Sequence, residues 1–253
     1  MGAEAADSVT VICLRNGEAD MSPPGTDTTE ADTTDRALLF DMDGVLVEGR
    51  GADDAVHDRA RDDALAEYGI DPSGRHRAAL GSYEYTETFV AACRAVGVDP
   101  TEFYAARERH SARRIVERLR AGERGLYPDV DALSGVADGR RLGVVSNNYH
   151  RAVEFVVDHH GLDTFSFVRG RDPGVDGFRR RKPDPHYLIE ALDALGADAG
   201  YYVGDRETDV IAAERAGLDG VFVRRDHNAD ATLDVDPAHE VDSLAELDRL
   251  CGR

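Results

Sequence analysis

The stretch "ALLFDMDGVL", residues 37–46, decides the fold of this chain. Its first four residues form a continuous apolar run, which is typical of a strand buried on both faces of a parallel sheet. Asp41, Asp43 and Gly44 follow that run at once. Ligands bind beyond the carboxyl ends of strands in such sheets, so these residues predict a functional edge.

Four further apolar runs follow along the chain and alternate with amphipathic stretches of helical periodicity. The runs are "LGVV" (142–145), "FSFV" (165–168), "YYVG" (201–204) and "GVFV" (220–223), and the helical stretches cover 150–161, 184–196 and 207–217. This alternation predicts an α/β fold with a doubly wound parallel sheet.

The sequence also predicts how the chain is divided. Residues 1–36 include "MSPPGTDTTEADTTD", which offers nothing apolar to bury, and we expect a disordered acidic extension there. Residues 37–48 and 126–253 are predicted to form the core domain. Residues 49–125 show only helical patterns, which predicts a helical insert after the first strand.

The charge of the chain excludes some classes of partner. The formal net charge is −20, from 50 acidic and 30 basic residues, so bulk binding to nucleic acid is disfavoured by repulsion. No apolar run approaches the roughly 18 residues that a membrane span requires. The spread of acidic residues and a single lysine suggest a salt-loving cell, where molar salt shortens the screening length to about 3 Å.

The three cysteines, Cys13, Cys93 and Cys251, are odd in number and far apart. Their spacing disfavours a disulfide framework and a structural zinc site, and a reducing cytoplasm is the expected location.

Polar residues follow three of the predicted strands or precede a helix, and we expect them at one edge of the sheet. They are Asp41, Asp43, Ser146, Asn147, Asp205 and Asp209, together with Lys182, the sole lysine of the chain. Clustered carboxylates repel one another and need a cation, and hard oxygen ligands suit Mg²⁺. Mg²⁺ and Lys182 would neutralise a phosphate dianion, to which Ser146 and the backbone N–H groups of the Asp41–Gly44 turn would donate.

Four stretches carry a resemblance to a known family. "DMDGVL" (41–46), "VVSNN" (144–148), "RKPDP" (181–185) and "GDRETD" (204–209) resemble, in this order, the four motifs of the haloacid dehalogenase-like hydrolase superfamily. The resemblance covers roughly residues 37–250 and includes the helical cap of the phosphoglycolate phosphatase-like branch.

The resemblance implies a role for each motif residue. Asp41 would be the nucleophile that forms an aspartyl-phosphate, and Asp43 the general acid and base. Ser146, Asn147, Gly44 and Lys182 would bind the phosphate. Mg²⁺ would be held by the Asp41 carboxylate, the Asp43 backbone carbonyl, Asp205 and Asp209, the last directly or through water.

A Mg²⁺-dependent phosphatase acting on a small phosphorylated metabolite, phosphoglycolate or a sugar phosphate, is therefore the expected function. Dehalogenases of the superfamily lack the second acid of the first motif, so Asp43 favours phosphoryl transfer. A phosphomutase that uses the same aspartyl-phosphate stays open as the alternative. A phospho-receiver domain is disfavoured by Asp43 and by the helical insert, and a relative that only binds phosphate is disfavoured because all the catalytic positions are filled. A monomer or a homodimer is expected.

The insert contains aromatic and basic residues that are candidates to face a substrate. They are Tyr83, Tyr85, Tyr104, Arg107 and Arg113, although core packing or a solvated face is the favoured interpretation for each.

Overall fold

The computed structural model of the protein describes residues 36–137 and 140–250. The predicted disordered extension, residues 1–36, lies outside the described residues except for Arg36.

A six-stranded sheet forms the centre of the fold, and every pair of neighbouring strands is parallel. The strand order is β3-β2-β1-β4-β5-β6. The strands are β1 (Ala37–Phe40), β2 (Leu142–Tyr149), β3 (Phe165–Arg171), β4 (Gly200–Gly204), β5 (Asp219–Val223) and β6 (His239–Val241). The predicted doubly wound parallel sheet is confirmed, with β6 as a short additional edge strand.

Ten α-helices lie in the described part of the chain. They are α1 (Asp54–Glu67), α2 (Gly74–Leu80), α3 (Glu87–Ala95), α4 (Pro100–Arg120), α5 (Leu133–Val136), α6 (His150–His160), α7 (Val175–Arg179), α8 (His186–Leu195), α9 (Glu207–Arg215) and α10 (Leu247–Leu250), with 3₁₀ turns at Pro128–Ala132 and Leu244–Glu246. No helix in these described ranges is both long and apolar enough to cross a bilayer.

Local sequence explains where the helices begin and end. The α4 helix begins at Pro100, and the Asp99 side chain accepts hydrogen bonds from the N–H groups of Thr101 and Glu102, both at 2.9 Å. The α6 and α8 helices end at Gly161 and Gly196, each in the left-handed conformation that glycine adopts without strain.

Helices α1–α4 form the helical insert between β1 and β2, and the two linkers that bound it lie side by side. The Glu48 N–H donates to the Gly125 carbonyl, and the Tyr127 N–H donates to the Leu46 carbonyl, both at 2.9 Å. The insert therefore leaves and rejoins the sheet at one place, a few residues beyond Asp43.

The insert has an apolar core of its own and also shares one with the sheet. Its own core is built around Phe89 and Phe103, and Val175 and Phe178 of α7 pack against it from outside the insert. Ile115 and Leu119 of α4 instead belong to the larger cluster that contains β1 and Leu46. Burial of these side chains, at roughly 1.5–3 kcal/mol for each large apolar group, holds α4 against the sheet domain.

The order of the strands fixes the position of the site. In order 3-2-1-4-5-6 the chain winds in opposite directions on either side of β1 and β4, which leaves a crevice at their carboxyl ends. Phe40 of β1 lies beside Val203 of β4, so Asp41 and Asp205 follow neighbouring strands at that crevice.

Candidate active site

Asp41 occupies the floor of the crevice. Its side chain is buried, and its Oδ1 accepts a hydrogen bond of 2.8 Å from the Met42 N–H. Its other oxygen, Oδ2, lies 3.1 Å from the ammonium nitrogen of Lys182. One oxygen is thus fixed by the turn and the other by a cation, which orients the carboxylate.

Lys182 is buried at the centre of the carboxylate cluster. Its Nζ lies 2.8 Å from Asp209 Oδ1 and also donates to the hydroxyl of Tyr202, which donates in turn to the Val145 carbonyl at 2.7 Å. Burial alone would lower the pKa of Lys182, but the Asp209 and Asp41 carboxylates outweigh it and raise the pKa. The lysine is therefore a permanent cation at this site.

Asn147 holds the backbone of Lys182 on both sides. Its Oδ1 accepts from the Lys182 N–H at 2.8 Å, and its Nδ2 donates to the Lys182 carbonyl at 3.2 Å. Asn147 and Asn148 are two extra residues in β2, because Ser146 pairs with Gly170 while Tyr149 pairs with Arg171. A bulge of this kind re-aims side chains at the end of a strand.

Asp205 carries an excess of buried negative charge. Burial first, and then the Asp41 and Asp209 carboxylates, raise the pKa of Asp205 to about 7. Its Oδ2 is hydrogen-bonded to His227 Nε2 at 2.7 Å, and the Asn228 side chain donates to its backbone carbonyl at 2.9 Å. Its Oδ1 is buried and has no hydrogen-bond partner in the described residues.

These features fit a divalent cation. Ligand oxygens of Asp41, Asp205 and Asp209 lie within 4.8 Å of one another, as metal ligands do. Asp205 Oδ1 has no hydrogen bond, and its nearest cation, Arg206 Nε, lies 3.8 Å away. The raised pKa of Asp205 shows that the carboxylates around it outweigh that arginine, so a divalent cation would suit this site. The predicted ligand at Asp43 is its backbone carbonyl, and that part of the prediction stays a prediction.

Both carboxylate oxygens of Asp209 have partners. Its Oδ2 accepts from the N–H groups of Asp205 and Arg206, at 3.1 and 3.0 Å, while its Oδ1 contacts Lys182. Burial raises the pKa of Asp209. Asp209 therefore fixes both the turn after β4 and the lysine, whatever its part in metal binding.

Gly44 makes room for this cluster. Its φ is +81°, and a Cβ at this position would lie 2.2 Å from Asp205 Oδ2. Its N–H donates to the Val47 carbonyl at 2.8 Å. The structure therefore gives Gly44 a steric role beside Asp205, and its predicted role as a phosphate ligand stays a prediction.

Asp43 lies at the same strand end, and two groups hold its carboxylate. Arg124 donates to Oδ1 at 2.6 Å, and Asn148 Nδ2 donates to Oδ2 at 2.8 Å. Arg124 also donates to the backbone carbonyls of Glu48 and Gly49, at 2.6 and 3.2 Å. The Asp43 side chain is thus linked directly to the second linker of the insert, and through Arg124 to the first.

A cavity of about 360 Å³ opens above these residues, between the sheet edge and the insert. Asp41, Asp43, Ser146 and Asn147 line it from the sheet, and His57, Tyr83 and Ile115 line it from the insert. The lining is therefore mostly polar, and Arg50, Arg171 and Arg206 add positive charge to the acidic groups.

The structure brings most of the sequence-predicted site together. Asp41, Asp43, Ser146 and Asn147 face the cavity, with Lys182, Asp205 and Asp209 packed behind Asp41. Sequence reasoning missed Asn148, Arg124, Tyr202 and His227. Among the insert candidates Tyr83 faces the cavity, Tyr104 and Arg107 are buried, Tyr85 packs on Phe89, and Arg113 contacts Asp63.

The fold and the site together define a class: a doubly wound α/β enzyme whose carboxylate and lysine cluster lies where the strand order of the sheet reverses. The chain belongs to the haloacid dehalogenase-like hydrolase family, which it matches over residues 36–217. The family, and with it the enzyme class predicted from the four motifs, is confirmed.

Several relatives are similar over most of the chain. The phosphoglycolate phosphatase of Rhodospirillum rubrum is 30% identical over 220 residues, covering 84% of this chain and 89% of the relative. That of Pectobacterium atrosepticum is 27% identical over 228 residues, covering 87% and 94%. The structure of CbbY from Rhodobacter sphaeroides in complex with phosphate is 24% identical, has a TM-score of 0.58, and covers 84% of this chain and 96% of that one, which supports the fold.

Proposed function

We propose that this protein is a Mg²⁺-dependent phosphatase that hydrolyses a small phosphate monoester through an aspartyl-phosphate. The observation that carries the proposal is the placement of Asp41. Its oriented carboxylate lies on the floor of the cavity, 3.1 Å from the buried ammonium of Lys182, with Asp43 on the same wall.

The residues divide the work between attack and proton transfer. Asp41 attacks the phosphorus atom. Ser146 donates to a phosphoryl oxygen, and the buried Lys182 ammonium offsets the negative charge that grows there in the transition state. Asp43 gives a proton to the leaving alkoxide and later takes one from the water that hydrolyses the aspartyl-phosphate. Arg124 and Asn148 keep the Asp43 carboxylate turned towards the cavity.

Asp41, Asp205 and the Asp43 backbone carbonyl would hold the Mg²⁺, with Asp209 direct or through water. When bound, Mg²⁺ neutralises the acidic cluster and polarises the phosphoryl group. The buried Asp205 oxygen that accepts no hydrogen bond supports this assignment.

The helical insert acts in this proposal as a cap. Its residues His57, Tyr83 and Ile115 form the far wall of the cavity, and closure over a substrate would exclude bulk water and select the leaving group. Phosphoglycolate is the first ester to test, because the relatives named phosphoglycolate phosphatases cover most of the chain. The cytoplasmic location and the monomeric or dimeric state stay predictions.

A screen of phosphate esters, with release of inorganic phosphate measured with Mg²⁺ and with EDTA, tests the proposal. We expect phosphate release with Mg²⁺ and none with EDTA, and we expect this release to be lost in Asp41→Asn. Asp193→Asn, on the exposed face of α8, is the matched control and should retain wild-type turnover. Equal turnover in Asp41→Asn and wild type would exclude the aspartyl-phosphate route.

A further inference from the structure

One ion pair joins the insert to the sheet domain next to the cavity, between Glu108 of α4 and Arg171 at the end of β3. The two Arg171 terminal nitrogens donate to the two Glu108 oxygens at 2.6 and 2.9 Å. Both side chains are 1% exposed. Two charges removed from water this completely need paired and satisfied geometry, and the fork of an arginine supplies it.

Glu108 has further donors from the sheet domain. The Gly174 N–H donates to its Oε2 at 2.6 Å, and the Tyr149 hydroxyl donates to its Oε1 at 3.4 Å. The Arg171 guanidinium also lies over the Tyr149 ring, 4.3 Å from its centroid. A carboxylate of the insert is thus held entirely by groups of the sheet domain.

The remaining nitrogen of Arg171 is hydrogen-bonded to Asn147, the residue that holds the backbone of Lys182. Arg171 Nε donates to the Asn147 carbonyl at 3.1 Å. Asn147 is one of the two extra residues of the β2 bulge, and its side chain clamps the backbone of Lys182 on both sides. A continuous chain of hydrogen bonds therefore runs from the insert to the residue that carries the phosphate-site cation.

We propose that Glu108 and Arg171 are positioning residues. Through the bulge at Asn147 they fix the position of the Lys182 backbone, so that the docking of α4 on the sheet domain determines where the lysine lies. The effect on catalysis rests on the proposed function, whereas the structural link does not. Neither residue belongs to the Asp41, Asp205 and Asp209 cluster. Arg171 also lines the cavity, whereas Glu108 does not and lies on a different part of the chain from all four motifs, so the Glu108 variant tests positioning alone.

The chain offers a direct probe of this link, because Lys182 is its only lysine. Protein labelled with ¹³C at lysine Cε gives a single lysine signal, which reports on the surroundings of Lys182. We expect that signal to shift or broaden in Arg171→Gln and in Glu108→Asp, both of which break the fork geometry.

Arg114→Gln is the matched control. Arg114 makes a similar forked pair with Asp63, at 2.6 and 2.7 Å, but both residues lie within the insert. We expect an unchanged lysine signal and unchanged kinetics in this variant. In the Glu108 and Arg171 variants kcat should fall by on the order of 10- to 100-fold, as for a reacting group displaced by about 1 Å, with a smaller change in KM.

The outcomes separate the two proposals. Folded Glu108 and Arg171 variants with a wild-type lysine signal and wild-type kcat overturn the positioning role. A shifted lysine signal in a protein whose wild type hydrolyses no phosphate ester supports the link and overturns the proposed function. If a single variant unfolds, the neutral double variant Glu108→Gln with Arg171→Met removes both charges together, and it must show the same shifted signal while it is folded.

Discussion

Lys182 Nζ lies between two carboxylates, 2.8 Å from Asp209 and 3.1 Å from Asp41. The Tyr202 hydroxyl closes the third side, so a compact ammonium with three donors matches its surroundings. The chain uses 30 basic residues and keeps lysine at this one position, which the geometry explains. A guanidinium is broad and planar and cannot donate in these three directions.

Lys182→Arg should therefore reduce kcat/KM by on the order of 100-fold or more, because the cation that orients Asp41 and offsets the developing phosphoryl charge is displaced. We expect the fold to be retained, since the buried positive charge remains. Steady-state kinetics and a thermal melt check both points. Arg180→Lys, an exposed position two residues earlier, is the control and should leave both unchanged. Near-normal turnover in Lys182→Arg would contradict the assigned role.

Gly44→Ala tests the steric role of Gly44 beside Asp205. The new Cβ would lie 2.2 Å from Asp205 Oδ2, so the carboxylate must move and Mg²⁺ affinity should fall at least tenfold. Gly122→Ala is matched in strain, because its φ is +73° and no atom lies within 4 Å of its Cβ position. Both variants should lose about 1–2 kcal/mol of stability from the left-handed backbone.

Titration calorimetry with Mg²⁺ separates these two effects. We expect weakened binding in Gly44→Ala alone. Equal Mg²⁺ affinity in the two alanine variants would show that Asp205 is not part of the metal site.

The pKa of Asp205 predicts how stability depends on pH and on metal. Because the folded-state pKa is raised from its ordinary value of 3.8 to about 7, the stability that this group contributes is fully present below pH 3.8. It is lost as the pH rises through about 7. Bound Mg²⁺ would reverse the loss, since it favours the ionised carboxylate.

The rise in melting temperature on addition of Mg²⁺ should therefore be larger at pH 8 than at pH 6, where protons compete for Asp205. Asp205→Asn should abolish the rise at both pH values. Melting curves with and without MgCl₂ provide the measurement, and a Mg²⁺ effect that is the same at both pH values would count against the assignment.

Much of the sheet could be predicted because its strands are short, apolar and buried on both faces. The run "ALLF" matches β1 at both ends, and the run at 201–204 matches β4 within one residue. The β6 strand has three residues and one exposed position, too few to form a recognisable run. The α2 helix has an equally weak pattern, since Leu80 is its single buried residue.

The site could be predicted where chemistry follows directly after a strand, as for Asp41, Asp43 and Asp205. His227 carried the same signal, four residues beyond β5, and the strand-end rule would have found it. No sequence pattern indicated Arg124, because its contact with Asp43 arises from the pairing of two linkers that are distant in sequence. Tertiary contacts of this kind are not encoded in local periodicity.

The net charge of −20 predicts that stability depends on salt. Self-repulsion of the folded chain is screened as ionic strength rises, and the screening length falls from about 10 Å at 0.1 M to about 3 Å at 1 M. The melting temperature should therefore rise between dilute buffer and concentrated KCl, with the larger part of the rise at low salt.

MgCl₂-free buffer with EDTA separates this general screening from binding at the Asp205 site. Because screening does not depend on the identity of the ions, NaCl and KCl should give equal gains. Equal melting temperatures in dilute and concentrated KCl would show that repulsion among the 50 acidic residues does not limit the stability of this fold.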